Sequence, residues 1–116
     1  EPRHLLGIGY LEDMERVIKA GVDFFDCTVP TSFARKGVAF TSKGRLNITQ
    51  LKFLKDKKSL DPMCECSVCV MYSRGYIAHL FRARESTGMT LVTIHNLFFY
   101  NKHVEILRRK IEQGKL

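Results

Sequence analysis

The rhythm of apolar and polar positions changes along the chain, and each rhythm predicts an element. Leu5, Leu6 and Ile8, set among Gly7 and Gly9, read as a short buried strand running into a loop. Residues 12–21 carry acids in a first turn and Gly21 as a left-handed stop, with Leu11, Met14, Val17 and Ile18 on one face; they predict a helix. Val22 to Cys27 is a β-type run ended by Pro30. Strand, loop, helix, strand is the order of a βαβ unit with parallel strands, so the fold class is expected to be α/β.

The polar, basic stretch Thr31-Ser32-Phe33-Ala34-Arg35-Lys36-Gly37 reads as an exposed loop. Val38–Phe40 and Leu46–Thr49 flank Thr41–Arg45, a hairpin with Gly44 in its turn. Lys52 to Lys58 reads as a solvated basic connection. Beyond Cys69, the spacing of Tyr72, Tyr76, Ile77, Leu80 and Ala83 predicts a helix stopped by Gly88, its tyrosines serving the core rather than stacked bases. Met89 to Ile94 is apolar and β-branched, a short strand or the entrance to a last helix. That helix would have Asn96 as its N-cap, Leu97, Val104, Leu107 and Ile111 inward, and Arg108, Arg109 and Lys110 at its negative end. No repeat or long linker interrupts the chain, so residues 1–116 are expected to form one unit.

Chemistry concentrates in Asp61-Pro62-Met63-Cys64-Glu65-Cys66-Ser67-Val68-Cys69 and in His95 beyond it. Three thiolates and an imidazole are the ligands that close a tetrahedral structural zinc site. A redox Cys-x-x-Cys pair and unrelated buried cysteines compete with that reading, but three thiols within six residues favour the metal. His4, His79 and His103 have no paired ligands nearby and read as structural or surface residues. Asp26 closes a strand ahead of a loop rich in Thr, Ser and Arg. Catalytic groups collect at such strand ends in parallel folds, and a loop-capping carboxylate fits the position equally. Gly7-x-Gly9 alone is weak support for a phosphate site.

At 116 residues, 45% apolar and 27% charged, the chain is ordinary for one globular domain or part of one. No apolar run is long enough to span a bilayer. Cysteines grouped as metal ligands suit a reducing cytoplasm better than a disulfide framework. The start at Glu1-Pro2-Arg3-His4 shows no initiator Met and no signal peptide, and suggests a fragment or excised domain. Net charge is +7, and from Cys27 to Lys55 there are six basic residues and no acidic one. A one-sign field of that kind attracts polyanions, nucleic acid above all.

These motifs combine into a recognisable order. Arg3-His4-Leu5-Leu6-Gly7-Ile8-Gly9 is followed by Phe25-Asp26-Cys27-x-x-Pro30-Thr31-x-x-Ala34-Arg35-x-Gly37. Then come Leu60-Asp61-Pro62-x-Cys64-x-Cys66-x-x-Cys69, Tyr72-Ser73-Arg74 and Thr93-Ile94-His95-Asn96. Over essentially the whole chain this resembles the C-terminal part of tRNA-guanine transglycosylase, also called queuine tRNA-ribosyltransferase, the bacterial form most closely. The resemblance implies the C-terminal portion of a TIM (β/α)8 barrel with a zinc-binding subdomain. Residues 1–37 would supply closing βα elements and residues 38–116 the hairpin, zinc knuckle and terminal helices.

The implied activity is base exchange at wobble position 34 of tRNA, guanine leaving for a 7-deazaguanine (preQ1 in bacteria, queuine in eukaryotes), without a nucleotide cofactor. Asp26 matches the nucleophile. Leu6 and Gly7 match the base pocket, and Gly7, Ile8, Gly9, Tyr10, Leu11, Glu12 and Asp13 match an RNA-contacting loop. Thr31, Ser32, Phe33, Ala34 and Arg35 match the segment that reads the wobble base and its neighbours. Cys64, Cys66, Cys69 and His95 match the zinc ligands. The implied partners are a tRNA anticodon stem-loop, the incoming base and, in the full-length parent, a second copy in a homodimer, with no membrane. Ser32 stands where the family commonly has Arg, which removes one expected contact. The second catalytic aspartate of the family falls outside these 116 residues, so the isolated chain is expected to be inactive or nearly so. A zinc-stabilised tRNA-binding module or accessory subunit is the alternative from another class, and a structural zinc domain with no RNA role is a third.

Overall fold

The computed structural model describes residues 4–6, 14–16, 19, 24–26 and 29–114. They divide into two compact bodies, one of residues 1–29 with 100–116 and one of residues 30–99.

In the first body, β1 (His4–Leu6) and β2 (Phe24–Asp26) pair in parallel, with His4 opposite Phe24, Leu5 opposite Phe25 and Leu6 opposite Asp26. Parallel neighbours need a crossover, and residues 14–16 and 19, between them in sequence, are helical, with Met14 buried. The expected strand–helix–strand order is therefore present. Residues 7–13, Val17, Ile18, Gly21 and Cys27, all part of the sequence reading, lie outside the described residues.

All of α1 (Val29–Arg35) after its first residue belongs to the second body, and this helix corrects the expectation of a loop over residues 31–37. Pro30, at the start of the helix, has a φ already suited to it. Pro30 and Ala34, four apart, are both buried, so packing of one face outweighs a sequence without clear period. Gly37 ends the helix at φ +80°, and its N–H reaches Ala34 O at 3.0 Å.

β3 (Val38–Thr41) and β4 (Gly44–Asn47) form the expected antiparallel hairpin. The turn is tighter than expected: Ser42 and Lys43 alone make the loop, and Gly44, at φ +111°, is already the first residue of β4. A single 3-10 turn (Leu51–Phe53) leads into the basic connection. That connection is not a solvated linker, because Phe53 and Leu54 pack against the core and Asp56 pairs with Arg74.

Three helices complete the chain: α2 (Ser67–Met71), α3 (Arg74–Arg82) and α4 (Ser86–Glu112). Ile77, Ala78 and Leu80 bury one face of α3, whereas Tyr76 stacks on Tyr72 and is 45% exposed, so the tyrosine stripe is only partly core. Arg84, at φ 57°, turns the chain after α3. Gly88 does not stop a helix; it lies in the first turn of α4, where a Cβ would come within 3.2 Å of Leu80 and Phe81 side-chain atoms.

The largest departure is α4 itself, one helix of 27 residues where a strand or entrance followed by a capped helix was expected. Asn96 is consequently in mid-helix and cannot be an N-cap. The buried positions Gly88, Leu91, Val92, His95, Asn96, Tyr100 and Leu107 keep a three- and four-residue spacing. That phase turns Leu97 outward and leaves Ile111, in the last turn, half exposed; of the four residues expected inward, Leu107 alone is fully buried. No helix among the described residues is long and apolar enough to cross a membrane.

Candidate metal centre and the Asp26 strand end

A turn, a short helix and a long helix build the centre. Cys64 N–H reaches Asp61 O at 2.9 Å, closing the turn that aims Cys64 inward. Cys66 is the N-cap of α2, its sulfur accepting from Cys69 N–H at 3.3 Å, while Cys64 Sγ accepts from Cys66 N–H at 3.5 Å. Such N–H···S contacts stabilise sulfur that carries negative charge. The fourth group arrives from the middle of α4. His95 Nδ1 lies 3.7 Å from Cys64 Sγ, 3.4 Å from Cys66 Sγ and 3.3 Å from Cys69 Sγ. All four ligand atoms fall within 4.8 Å of one another.

This arrangement fits a metal ion on two counts. Ligand bonds to sulfur and nitrogen of roughly 2.0–2.3 Å give a tetrahedron with S···N edges of roughly 3.5 Å, in the middle of the observed range. The tautomer is also fixed: His95 Nε2 lies 2.7 Å from Phe40 O, and a carbonyl only accepts, so the proton is on Nε2 and Nδ1 presents its lone pair to the sulfurs. His95 is fully buried, and burial holds its pKa below the ordinary value, keeping the ring neutral. Burial pushes the Cys69 thiol up to about 12 and raises Cys64 as well. Three thiolates gathered around one half-buried to buried point are stabilised by a cation among them.

Three residues that the sequence reading named without giving them a bracing role hold the ligands in place. Asp61, 2% exposed, accepts from Met63 N–H at 3.0 Å, Ser42 N–H at 2.8 Å and the Ser42 hydroxyl at 3.0 Å, joining the turn before Cys64 to the hairpin tip. Burial alone would raise its pKa, but these donors outweigh it and hold the carboxyl below its usual range. Arg74 donates to Ser59 O, Leu60 O and Asp56 Oδ2, bracing the approach to the turn. Asn96 Oδ1 accepts from Phe40 N–H at 3.1 Å, and its Nδ2 donates to Pro30 O and Val38 O, each at 3.0 Å. The signal for Asn96 was a polar residue on the buried stripe of a helix, visible only once α4 is seen to be continuous.

Of the other candidate residues, Asp26 is the last residue of β2, in register with Leu6, the last of β1. Thr31 to Ala34 are buried or half-buried on α1, and Arg35, its final residue, is exposed. His79 is exposed and His103 half-buried, as expected of residues outside the centre.

A family model for queuine tRNA-ribosyltransferase matches residues 1–116. Proteins named queuine tRNA-ribosyltransferase are similar throughout the chain. That of Leptospira biflexa serovar Patoc is 45% identical over 113 residues, covering 97% of this chain and 30% of its own length. That of Thermodesulfovibrio yellowstonii is 43% identical over 115 residues, covering 99% and 30%. That of Thermoanaerobacter sp. strain X514 is 45% identical over 116 residues, covering 100% and 31%. The chain thus spans about 30% of the length of these relatives. Matched from its first residue to its last, it belongs to the queuine tRNA-ribosyltransferase family.

Proposed function

We propose that this chain works as the C-terminal part of a tRNA-guanine transglycosylase, replacing guanine at wobble position 34 of tRNA with a 7-deazaguanine, preQ1 or queuine. The observation that carries the reading is the strand end at Asp26. Its backbone is in register with Leu6 at the carboxyl ends of two parallel strands, where TIM-barrel enzymes keep their chemistry. On this reading β1 and β2 are closing strands of such a barrel, and Leu6 and Gly7 line the base pocket beside the nucleophile.

The Asp26 carboxylate attacks C1′ of the wobble ribose as the bond to guanine breaks, leaving the ribose joined to the aspartate. The incoming base then attacks C1′ and frees the carboxylate. Guanine leaves with a proton and the incoming base gives one up, so the exchange balances without a redox or nucleotide cofactor. Two displacements through oxocarbenium-like states follow the logic of a retaining glycosidase. Residues 7–13 and 31–35 hold the anticodon stem-loop, with Arg35 the exposed cation at the end of α1. Cys64, Cys66, Cys69 and His95 hold one structural Zn2+, whose chemistry is to neutralise the thiolates and close the knuckle. The parent is read as a cytoplasmic homodimer.

The test uses the full-length parent with a labelled anticodon stem-loop and 9-deazaguanine. A covalent RNA–protein adduct should form, and Asp26→Asn should abolish it and lower base exchange on the order of 10⁴-fold or more. RNA binding without any adduct would identify a tRNA-binding module instead.

A further inference from the structure

We propose that Asn96 is a positioning residue for RNA recognition: its side-chain amide sets the place of the Val29–Arg35 helix, and with it the presentation of Thr31 to Arg35. The inference rests on the reading of α1 as an RNA-contacting element.

Asparagine is a poor choice for the interior of a helix, yet Asn96 sits in the middle of α4 and is 0% exposed. A helix that needed only core packing there would carry an apolar side chain. The bonds of Asn96 explain the exception, because they all leave its own helix. In an antiparallel hairpin alternate residues turn their peptide groups away from the partner strand. Val38 and Phe40 are such residues of β3, and α4 meets them with two consecutive side chains. His95 Nε2 donates to Phe40 O at 2.7 Å, and Asn96 Oδ1 accepts from Phe40 N–H at 3.1 Å. The amide nitrogen of Asn96 then divides its two protons between Val38 O and Pro30 O, each at 3.0 Å.

One buried group thereby fixes the edge of the hairpin and the first turn of α1 together. Pro30 immediately precedes Thr31 and follows Asp26 by four positions in the chain. Apolar contact through Ala34 holds α1 close, but a directional bond sets its rotation and its distance along the face. The chemistry is specific to an amide. Aspartate keeps the acceptor for Phe40 N–H and loses both donors, placing a carboxylate oxygen against two carbonyl oxygens; alanine loses every bond.

The experiment compares Asn96→Asp and Asn96→Ala in the full-length enzyme. Zinc content, affinity for the anticodon stem-loop, KM for RNA and for free base, and amide hydrogen exchange over residues 29–36 and 74–82 would be measured. Both variants should keep one ion per chain and an unchanged KM for the base. RNA affinity should fall about tenfold, and exchange over residues 29–36 should quicken by a similar factor while residues 74–82 stay protected. Metal-loaded variants with normal RNA affinity would overturn the proposal, as would RNA and base constants worsening in parallel. If neither variant folds or holds zinc, Asn96 is a core residue only, and the proposal falls. A wild-type enzyme that fails to bind the RNA would instead remove the function proposed above, and exchange over residues 29–36 would still decide what Asn96 does to α1.

Discussion

Around the metal ligands, backbone segments are fastened by side chains whose partners lie in the same body. Asp61 joins the cysteine turn to the hairpin tip, Arg74 braces the chain before it, and His95 and Asn96 together grip both peptide groups of Phe40. The β1–β2 pair is built otherwise, from three residues in each strand and one ladder between them. Parallel strands belong to sheets covered on both faces and flanked by further strands. The comparison teaches that residues 30–99 are fastened by directional side-chain bonds, whereas among the described residues the strand bearing Asp26 is held by one three-residue ladder.

Withholding a metal ion from the Cys64, Cys66, Cys69 and His95 cluster is expected to be the most severe way to break the first region. Structural zinc contributes about 10–16 kcal/mol in small zinc domains, as much as the whole stability of a typical domain, about 5–15 kcal/mol. Chelation should abolish the cooperative thermal transition of residues 30–99, and one equivalent of Zn2+ should restore it, as followed by circular dichroism. The pH dependence has a definite sign. Burial raises the Cys64 and Cys69 thiols, Cys69 to about 12, so the metal-free site binds protons that the ion must displace. Affinity should therefore rise with pH, about tenfold per unit for each thiol deprotonated, and the ion should be lost on acidification. A metal titration with the same affinity at pH 6 and pH 8 would contradict this.

The second region is broken by isolation. The 116 residues alone should bind one zinc ion yet give base exchange at least about 10⁴-fold below a full-length relative, near the level left when a catalytic group is missing. Comparable rates for the two, in an assay with tRNA and labelled guanine, would show that β1 and β2 need no further strands.

What the sequence revealed divides along similar lines. The clustering of the candidate metal ligands was legible because three of them lie within six residues and the fourth is named by ligand chemistry, without knowledge of the path that returns it. The parallel strands were legible from the order strand, helix, strand. The helix over Thr31 to Arg35 was not, because its one buried face rests on Pro30 and Ala34, and neither gives a strong apolar signal. The continuity of α4 was hidden by Thr90, Val92, Thr93 and Ile94, whose β-branching suits a strand. Packing of Leu91, Val92, His95 and Asn96 at helical spacing overrides that propensity. Asn96 was misread because a polar residue ahead of an apolar run resembles a cap, and its actual partners are more than fifty residues away in sequence.

A smaller change sharpens the account of the knuckle. Asp61→Asn keeps the size of the side chain but turns an amide toward donors that need an acceptor, and should cost about 1–3 kcal/mol at pH 7. The wild-type carboxyl is held below its usual range, so its contribution is present above an unfolded pKa of about 4 and disappears as pH falls through the lower folded value. The variant should show a shallower loss of stability in that acid window, measured by urea unfolding of the zinc-loaded protein at several pH values.

The least effect is expected where an ion pair stands outside both devices. Glu105 and Arg109 are 2.7 Å apart on α4, with side chains 45% and 64% exposed, whereas Arg74 and Asp56 are 3.1 Å apart with side chains 15% and 19% exposed. Distance alone would rank the α4 pair as the stronger. Exposure reverses the order, because water and salt screen the outer pair and its long side chains lose rotamer freedom in meeting. Glu105→Gln should change stability by about 0.3–0.5 kcal/mol, and less in high salt. Arg74→Ala removes not only the Asp56 pair but the donors to Ser59 O and Leu60 O, and should cost several times as much with little dependence on salt. Thermal melting of both variants at low and high ionic strength separates the two cases, and equal losses would mean that Arg74 braces nothing the metal does not already hold.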